Sequence, residues 1–548
     1  MSFKCPVQDQ RFVLDHVVRM AELSNDLEIV DAVLEGAAAL AEGEFAPLNR
    51  VGDEHKARWH DGEVTMPPGF KAAWRAFVEG GWMGLSAPVE AGGQGLPLAL
   101  SAALTENLNG ANPAFALLPV LSFGAIEALE KHGSSELKSE YLAKIVSGEW
   151  PATMNLTEPQ AGSDVGALKT RAEPADDGSY RITGTKIFIT YGEHDLADNI
   201  IHLVLARTPD APAGTRGISL FLVPKLLPGG ARNDLRCVSI EHKMGIHASP
   251  TCVLSFGDEG GATGWLVGPE MAGMRAMFTM MNNARLNVAL QGVGIAEAAT
   301  QRAVAYGLER RQSGRAIADF PDVRRMLLRM RSLTMGARSL VYYAFGQADR
   351  GARGDEAAAL RAEVLTPLAK AWGTDVGCEV ASLGIQVHGG MGFIEETGAA
   401  QHLRDARIAP IYEGTNGIQA ADLVGRKLGL DGGAAFDMLL ADIRAETADP
   451  RIIALGDAVE VAAASYRQAE PDDRLAGSYP FLTMCAVLVA GWMLERQANV
   501  VGDSQFHATK RAAADYFNSV VVTEALGLAA GAEAGAALLY AVPAESLV

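Results

Sequence analysis

At 548 residues the chain is too long for one ordinary core, and about 100 to 200 residues per domain gives three or four domains. A hydrophobic content of 49% supplies large cores, whereas a net charge of -19 and a pI near 5.1 exclude the phosphate-neutralising surface that nucleic-acid binding needs. The five cysteines, at 5, 237, 252, 378 and 485, form no C-x-x-C pair, which argues for a reducing compartment over a disulfide framework or zinc site.

The first ten residues carry no apolar h-region, so a secretory signal is not expected and the cytoplasm is the anticipated location. From Phe12 to about Trp150 apolar residues recur at helical spacing, as in Leu27, Val30, Val33 and Leu34, with breaks at Gly/Pro clusters; residues 1–150 read as a helical domain. After Pro151 short β-rich runs take over, Tyr180–Thr183, Lys186–Thr190, Ile200–Leu205 and Ile218–Val223, and a β domain is expected over 151–268. Helical periodicity returns in Met271–Gly307, Pro321–Arg350, Glu356–Leu383 and the segment after Thr415, predicting a bundle of four long helices over 269–430. Residues 431–548 read as an appended helical domain, with 16 acidic against 7 basic residues, unsuited to a nucleic-acid arm. The uncharged run Leu475–Leu494 approaches membrane-spanning length, but its Gly, Ser, Pro and Thr content favours a buried helix, and no membrane association is expected.

One carboxylate stands out. In Ile411-Tyr412-Glu413-Gly414-Thr415-Asn416-Gly417-Ile418-Gln419, Glu413 occupies a Gly-bounded turn at the start of an amphipathic pattern running through Leu428. Gly414 permits close approach of backbone to a ligand, Thr415 or Asn416 can cap the helix, and its free N–H groups favour negative charge. Glu413 is therefore a candidate base. A second informative segment, Met154–Asp164, offers small residues and hydroxyls in an irregular loop, suited to a planar heteroaromatic edge or a phosphate.

These two segments occur in order with Lys186-Ile187-Phe188-Ile189-Thr190, Tyr306-Gly307-Leu308-Glu309-Arg310-Arg311, Gln386-Val387-His388-Gly389-Gly390-Met391-Gly392-Phe393 and Leu403-Arg404-Asp405-Ala406-Arg407-Ile408. Together they resemble the acyl-CoA dehydrogenase superfamily from about residue 30 to 430. The resemblance implies a fold that is mainly α with an inserted β-barrel-like domain, followed here by extra C-terminal helices. It implies FAD as cofactor, with Met154, Leu156, Thr157 and Ser163 lining the flavin and the start of the acyl site. Phe188 and Thr190 would sit against the isoalloxazine, Arg310 would meet the pyrophosphate, and Gln386 to Gly390 would hold the adenosine side, with Thr415 also on the cofactor. For the acyl-CoA it implies Ser163, Asn282, Arg285, Tyr412 and Gly414. Read from composition alone, Phe188 is equally a core aromatic, Arg310 a surface charge and Gly389-Gly390 a simple turn.

The chemistry so implied is α,β-dehydrogenation of a thioester. Glu413 abstracts the α-proton, its own N–H and a flavin ribityl hydroxyl stabilise the enolate, and hydride passes to flavin N5. Excluding water raises the proton affinity of Glu413. An electron-transfer flavoprotein is the implied acceptor, and a homodimer or homotetramer is expected because Arg310 would serve a neighbouring subunit's cofactor. Phe188 stands where many members have Trp, Gln312-Ser313 where Thr-Phe is common, and Gly417 where a flavin-contacting Gln is frequent. Segments around Phe3–Leu14, Lys243–Cys252 and Arg310–Arg315 resemble a longer subgroup that includes 3-methylthiopropanoyl-CoA dehydrogenases. Two alternatives stay open: an acyl-CoA oxidase that uses oxygen, and a non-catalytic flavoprotein that serves as a binding module.

Overall fold

In the computed structural model, which describes residues 2–548, contacts separate the chain into two units. One comprises Ala39–Leu96 and Ala111–Ala284; the other comprises the N-terminal segment up to Ala38 together with Pro97–Gly110 and Arg285–Val548. The N-terminal helices are thus shared between two cores, a division that no composition change along the chain announces.

The first unit is built around an eight-stranded sheet. Its strand Ala152–Asn155 lies parallel to Ile201–Ala206, and the other pairings are antiparallel. From that edge the order continues through Ser219–Pro224, Ala262–Leu266, Tyr180–Thr190, Thr251–Phe256 and Leu235–Ile240, with Arg171–Pro174 also on Tyr180–Thr190. Ile201–Ala206 and Ser219–Pro224 are buried at every position, which is why both are apolar apart from His202 and Ser219; Thr251–Phe256 alternates between buried and half-buried positions. The runs Tyr180–Thr183 and Lys186–Thr190 form one strand, Tyr180–Thr190, whose register against Thr251–Phe256 shifts between Lys186 and Ile189. That bulge has a consequence for the site.

In the second unit the helices Gly273–Glu309 (from Arg285 onward), Pro321–Ala352 and Glu356–His388 pack together. Pro321 opens the second at its first turn, and the Asp355 side chain caps the third by accepting from Ala358 N–H at 3.0 Å. A Cβ on Gly292 would lie 2.0 Å from the Gly373 carbonyl oxygen, so Gly273–Glu309 and Glu356–His388 touch backbone to backbone there. The expected fourth long helix is corrected: Asn416–Gly425 has only 10 residues, and the chain past it enters a kinked segment, Lys427–Gly433, with non-helical torsions at Leu430, Asp431 and Gly432. The long helix beside the others is instead Ser478–Ala498, which packs on Pro321–Ala352, Glu356–His388 and Asn416–Gly425. Helical spacing could not distinguish these, because an apolar face does not specify its partner.

Ser478–Ala498 and Pro113–His132 are long and apolar enough to cross a membrane, and both are mostly buried. The expected buried helix over Leu475–Leu494 is therefore present, beginning three residues later at Ser478.

A cluster of charges lies inside the second unit. Arg338, fully buried, donates to Glu106 at 2.8 Å and to Glu297 at 2.8 Å; Arg331 reaches Glu297 at 3.0 Å, and Lys510 meets Asp9 at 2.5 Å. The Tyr342 hydroxyl donates to Glu106 at 2.6 Å. Three cations balance three carboxylates, joining the N-terminal segment, three other helices and the helix Gln505–Tyr516 at one point.

Candidate active site

The turn predicted to be catalytic is held by the second unit. Ile411 and Tyr412 close onto the Ile408 carbonyl at 2.9 and 3.2 Å, and the Asn416 N–H donates to the Pro410 carbonyl at 2.9 Å. Between these fixed points Glu413 has φ 56° and Gly414 φ 86°. Two successive left-handed residues turn the chain sharply; Gly414 tolerates this freely, whereas Glu413 carries strain of about 1 kcal/mol or more. A side chain on Gly414 would also bring its Cβ within 2.7 Å of the buried Gln419 amide. The Thr415 hydroxyl oxygen accepts from Ile418 N–H at 3.1 Å, so it is Thr415, of the two candidates, that caps Asn416–Gly425.

Two cations face this turn. Arg285, buried, donates from Nε to the Glu413 carbonyl oxygen at 3.4 Å; Lys370, fully buried, donates from Nζ to the Gly414 carbonyl at 2.8 Å and to Asn416 Oδ1 at 3.0 Å. Burial pushes the Glu413 carboxyl up to about 7 against the opposing pull of Arg285 and Lys370. The same burial drives the Lys370 ammonium down to about 7, with Glu413 and Asp375 working the other way. Tyr412, whose hydroxyl donates to Gln291, has its phenol pushed far up by burial. The sequence points to Glu413, Arg285, Tyr412, Gly414 and Thr415 in this neighbourhood, to Asn416 only as an alternative cap, and not to Lys370 or Gln291. A lysine inside the apolar run Leu365–Trp372 was the signal for Lys370.

Arg310, Gln386 and Gly390 converge elsewhere in the same unit, at an open groove of about 520 Å³ lined also by Tyr306, Gln312 and Gly389. Arg310 is exposed, and nothing lies within 4 Å of a Cβ placed on Gly389 or Gly390. Tyr306 stacks on His388 at 4.3 Å beneath the groove. A cation, an exposed carboxamide and bare backbone in one recess suit a pyrophosphate and its nucleoside, so the residues present fit the ADP half of FAD.

In the first unit Met154 and Leu156 are buried, Thr157 is half-buried and Ser163 is exposed in the following loop. That loop is tied to the bulged strand: Ile187 N–H donates to the Thr157 carbonyl at 2.9 Å, and the buried Lys186 ammonium bridges the Leu156 carbonyl at 3.1 Å and Glu158 at 2.8 Å. The Lys186 ion pair and a hydrogen bond from Thr170 help hold the Glu158 carboxyl down at about 2. At the bulge Phe188 adopts φ 59° and is 57% exposed. An aromatic ring turned out of a sheet by a strained bulge is a ready stacking platform, which removes the core-aromatic alternative and fits the flavin ring system. Thr190 pairs with Thr251 at the strand's end and is half-buried. Asn282 lies on Gly273–Glu309, half-buried, about one turn before Arg285. Among the described residues no group of three His, Cys, Asp or Glu is placed to hold a metal ion.

Known proteins resemble the chain along nearly its whole length. The N-terminal, middle and C-terminal domains of acyl-CoA dehydrogenase match residues 31–149, 153–258 and 271–428, and a domain described as acetyl-CoA dehydrogenase C-terminal like matches 437–543. A 3-methylmercaptopropionyl-CoA dehydrogenase of Ruegeria pomeroyi is 46% identical over 96% of this chain and 97% of its own. The broad-specificity linear acyl-CoA dehydrogenase FadE5 of Mycobacterium tuberculosis is 33% identical over 94% of this chain and 95% of its own. In three dimensions, an acyl-CoA dehydrogenase from Bacillus anthracis complexed with FAD superposes with a TM-score of 0.78 at 23% identity, covering 95% of this chain and 90% of that one, and shares the fold. With the strained carboxylate turn, the open groove at Arg310 and the exposed Phe188 in place, the chain belongs to the acyl-CoA dehydrogenase family, FAD-dependent oxidoreductases acting on acyl-CoA.

Proposed function

We propose that Glu413 is the base that takes the α-proton of a short acyl-CoA, 3-methylthiopropanoyl-CoA foremost, in an α,β-dehydrogenation. The carrying observation is the Glu413 carboxyl itself, half-buried, raised by burial to about 7, and set on a turn whose carbonyls are pinned by Arg285 and Lys370. A carboxylate of that basicity is far better matched to an α-proton than one near 4. Tyr412 and Gly414 flank the thioester, Asn282, Arg285 and Ser163 contribute to the acyl-CoA side, and Thr415 completes the turn. FAD supplies the two-electron acceptor when bound; in the first unit we assign to it Met154, Leu156, Thr157, Ser163, Phe188 and Thr190, and in the second, by themselves, Arg310, Gln386 and Gly390. The thioether substrate is favoured by similarity to the Ruegeria pomeroyi enzyme along both full lengths.

An electron-transfer flavoprotein receives the electrons, and the enzyme works as a homo-oligomer, since Arg310 is exposed at the groove's rim. Five free cysteines are consistent with the cytoplasmic location we propose. Mixing FAD-loaded protein anaerobically with 3-methylthiopropanoyl-CoA and with short and longer straight-chain acyl-CoAs tests this: rapid bleaching of the oxidised flavin is expected first with the thioether and short chains. No bleaching with any acyl-CoA sinks the reading, and peroxide formation in a parallel air-saturated reaction without an added acceptor selects the oxidase. Because Glu413 must be ionised to accept a proton, kcat/KM is expected to rise with pH and level off above an apparent pKa near 7. A pH-independent rate between 5 and 8, roughly the window flanking that value, contradicts the assignment.

A further inference from the structure

The appended helices reach the catalytic turn through a continuous line of hydrogen bonds. Tyr479, in the first turn of Ser478–Ala498, donates its hydroxyl to Asp375 Oδ2 at 2.7 Å. Asp375 Oδ1 accepts from the Asn416 amide at 2.9 Å, and Asn416 Oδ1 accepts from Lys370 Nζ at 3.0 Å. Lys370 in turn donates to the Gly414 carbonyl at 2.8 Å, one residue from the carboxylate. Thr374, fully buried, seals the centre of the line by accepting from the Asn416 amide at 3.0 Å while donating to the Lys370 carbonyl at 2.9 Å. Asn416 and Lys370 are buried, so each group depends on its neighbour for a partner, and water cannot substitute for a lost one.

We infer that Tyr479 and Asp375 are positioning residues for the base, and that the appended helices are a working part of the active site because they supply Tyr479. Neither residue is hydrogen-bonded to Glu413 or Gly414. They act through Asn416 and Lys370, fixing the ammonium against the Gly414 carbonyl and hence the left-handed geometry of Glu413. Asp375 also acts, after Glu413, against the burial that drives the Lys370 ammonium down to about 7. The groups bearing on Glu413 are Arg285 and Lys370. Those bearing on Lys370 are Glu413, Asp375 and Arg285. Asp375 in turn feels Lys370 and Arg407 and is hydrogen-bonded by Tyr479 and Asn416.

This inference rests on Glu413 being the base, so the FAD-loaded full-length enzyme is assayed as Tyr479→Phe, Asp375→Asn, Glu413→Gln and Phe517→Leu in parallel. Phe517, also from the appended helices, packs edge-on against Trp372 at 6.0 Å and serves as the packing control. Tyr479 is 39% exposed and Asp375 half-buried, so water partly replaces the lost hydroxyl, and Tyr479→Phe is expected to lower kcat about threefold with KM unchanged. The acid limb of its kcat/KM profile moves to higher pH, because a loosened Lys370 no longer offsets the burial of Glu413. Asp375→Asn reproduces the shift, and it decides the matter if the tyrosine variant does not fold. Phe517→Leu lowers the melting temperature and leaves the acid limb in place. An acid limb unmoved in the folded Tyr479 or Asp375 variant, or moved equally by Phe517→Leu, overturns the inference. Retained activity in Glu413→Gln instead overturns the underlying assignment of the base.

Discussion

Glu413→Gln is expected to lower kcat by about 10³-fold or more while leaving FAD content and acyl-CoA binding intact. A positioned general base contributes about 10² to 10⁴ in rate, and an amide of the same shape has no basic lone pair to take the α-proton. Stability moves in the opposite direction. A carboxyl with folded pKa near 7 and an ordinary value of 4.5 binds its proton more tightly when folded. Its favourable contribution is complete below 4.5 and is lost as pH rises through 7, leaving a charging cost of about 3 kcal/mol in the unliganded enzyme above that pH. The part-exposed position of Glu413 lets solvent screen some of that cost. The glutamine variant is therefore expected to melt at or above the wild-type temperature at pH 8 and to match it near pH 5. Rapid-mixing absorbance with 3-methylthiopropanoyl-CoA and thermal melts at the two pH values check both arms. Undiminished flavin bleaching removes Glu413 from the mechanism.

Arg338→Met is expected to be the most destabilising single substitution outside the catalytic turn, costing about 3–5 kcal/mol. Methionine fills much of the volume but leaves Glu106 and Glu297, whose carboxylates Arg338 contacts at 2.7 and 2.8 Å, with one cation fewer among three buried acids. Charge attraction from Arg331 and Arg338 holds the Glu297 carboxyl well below its usual range despite its burial, and Lys510, Arg338 and Arg331 do the same for Asp9. A depressed carboxylate contributes stability above the unfolded value of about 4, and that contribution is lost as pH falls. In the variant the same burial lacks its counter-charge, so the penalty is largest at neutral pH and eases on protonation. The difference in melting temperature between wild type and variant should narrow below about pH 4. A difference that is small at pH 7, or that grows on acidification, shows that the cluster is not held by charge.

The two predictions draw on different levels of legibility. Glu413 was legible because a turn motif is local: Gly414, Thr415 and the following helix are neighbours in the chain, and the strained torsion at Glu413 is created within the same few residues. Phe188 was legible only through resemblance, because its exposure depends on a bulge created by pairing with Thr251–Phe256. The Arg338 cluster was not legible at all. Asp9, Glu106, Glu297, Arg331 and Lys510 stand far apart in the chain, and each reads in isolation as an ordinary charge on a helix.

Helical and strand periodicity by themselves determined the α-β-α succession and the Gly-bounded turn singled out the candidate base, while the ordered motifs carried the family resemblance that implied the cofactor, since each is recorded in short stretches of neighbouring residues. Tertiary structure alone decided that the long helix packed beside the others is Ser478–Ala498 and not the segment after Thr415. It also decided that Lys370 and Asn416 stand behind the turn and that Tyr479 connects the appended helices to it. Those facts depend on which apolar faces meet and on which buried polar groups must then satisfy one another, and neither condition is written in any one segment.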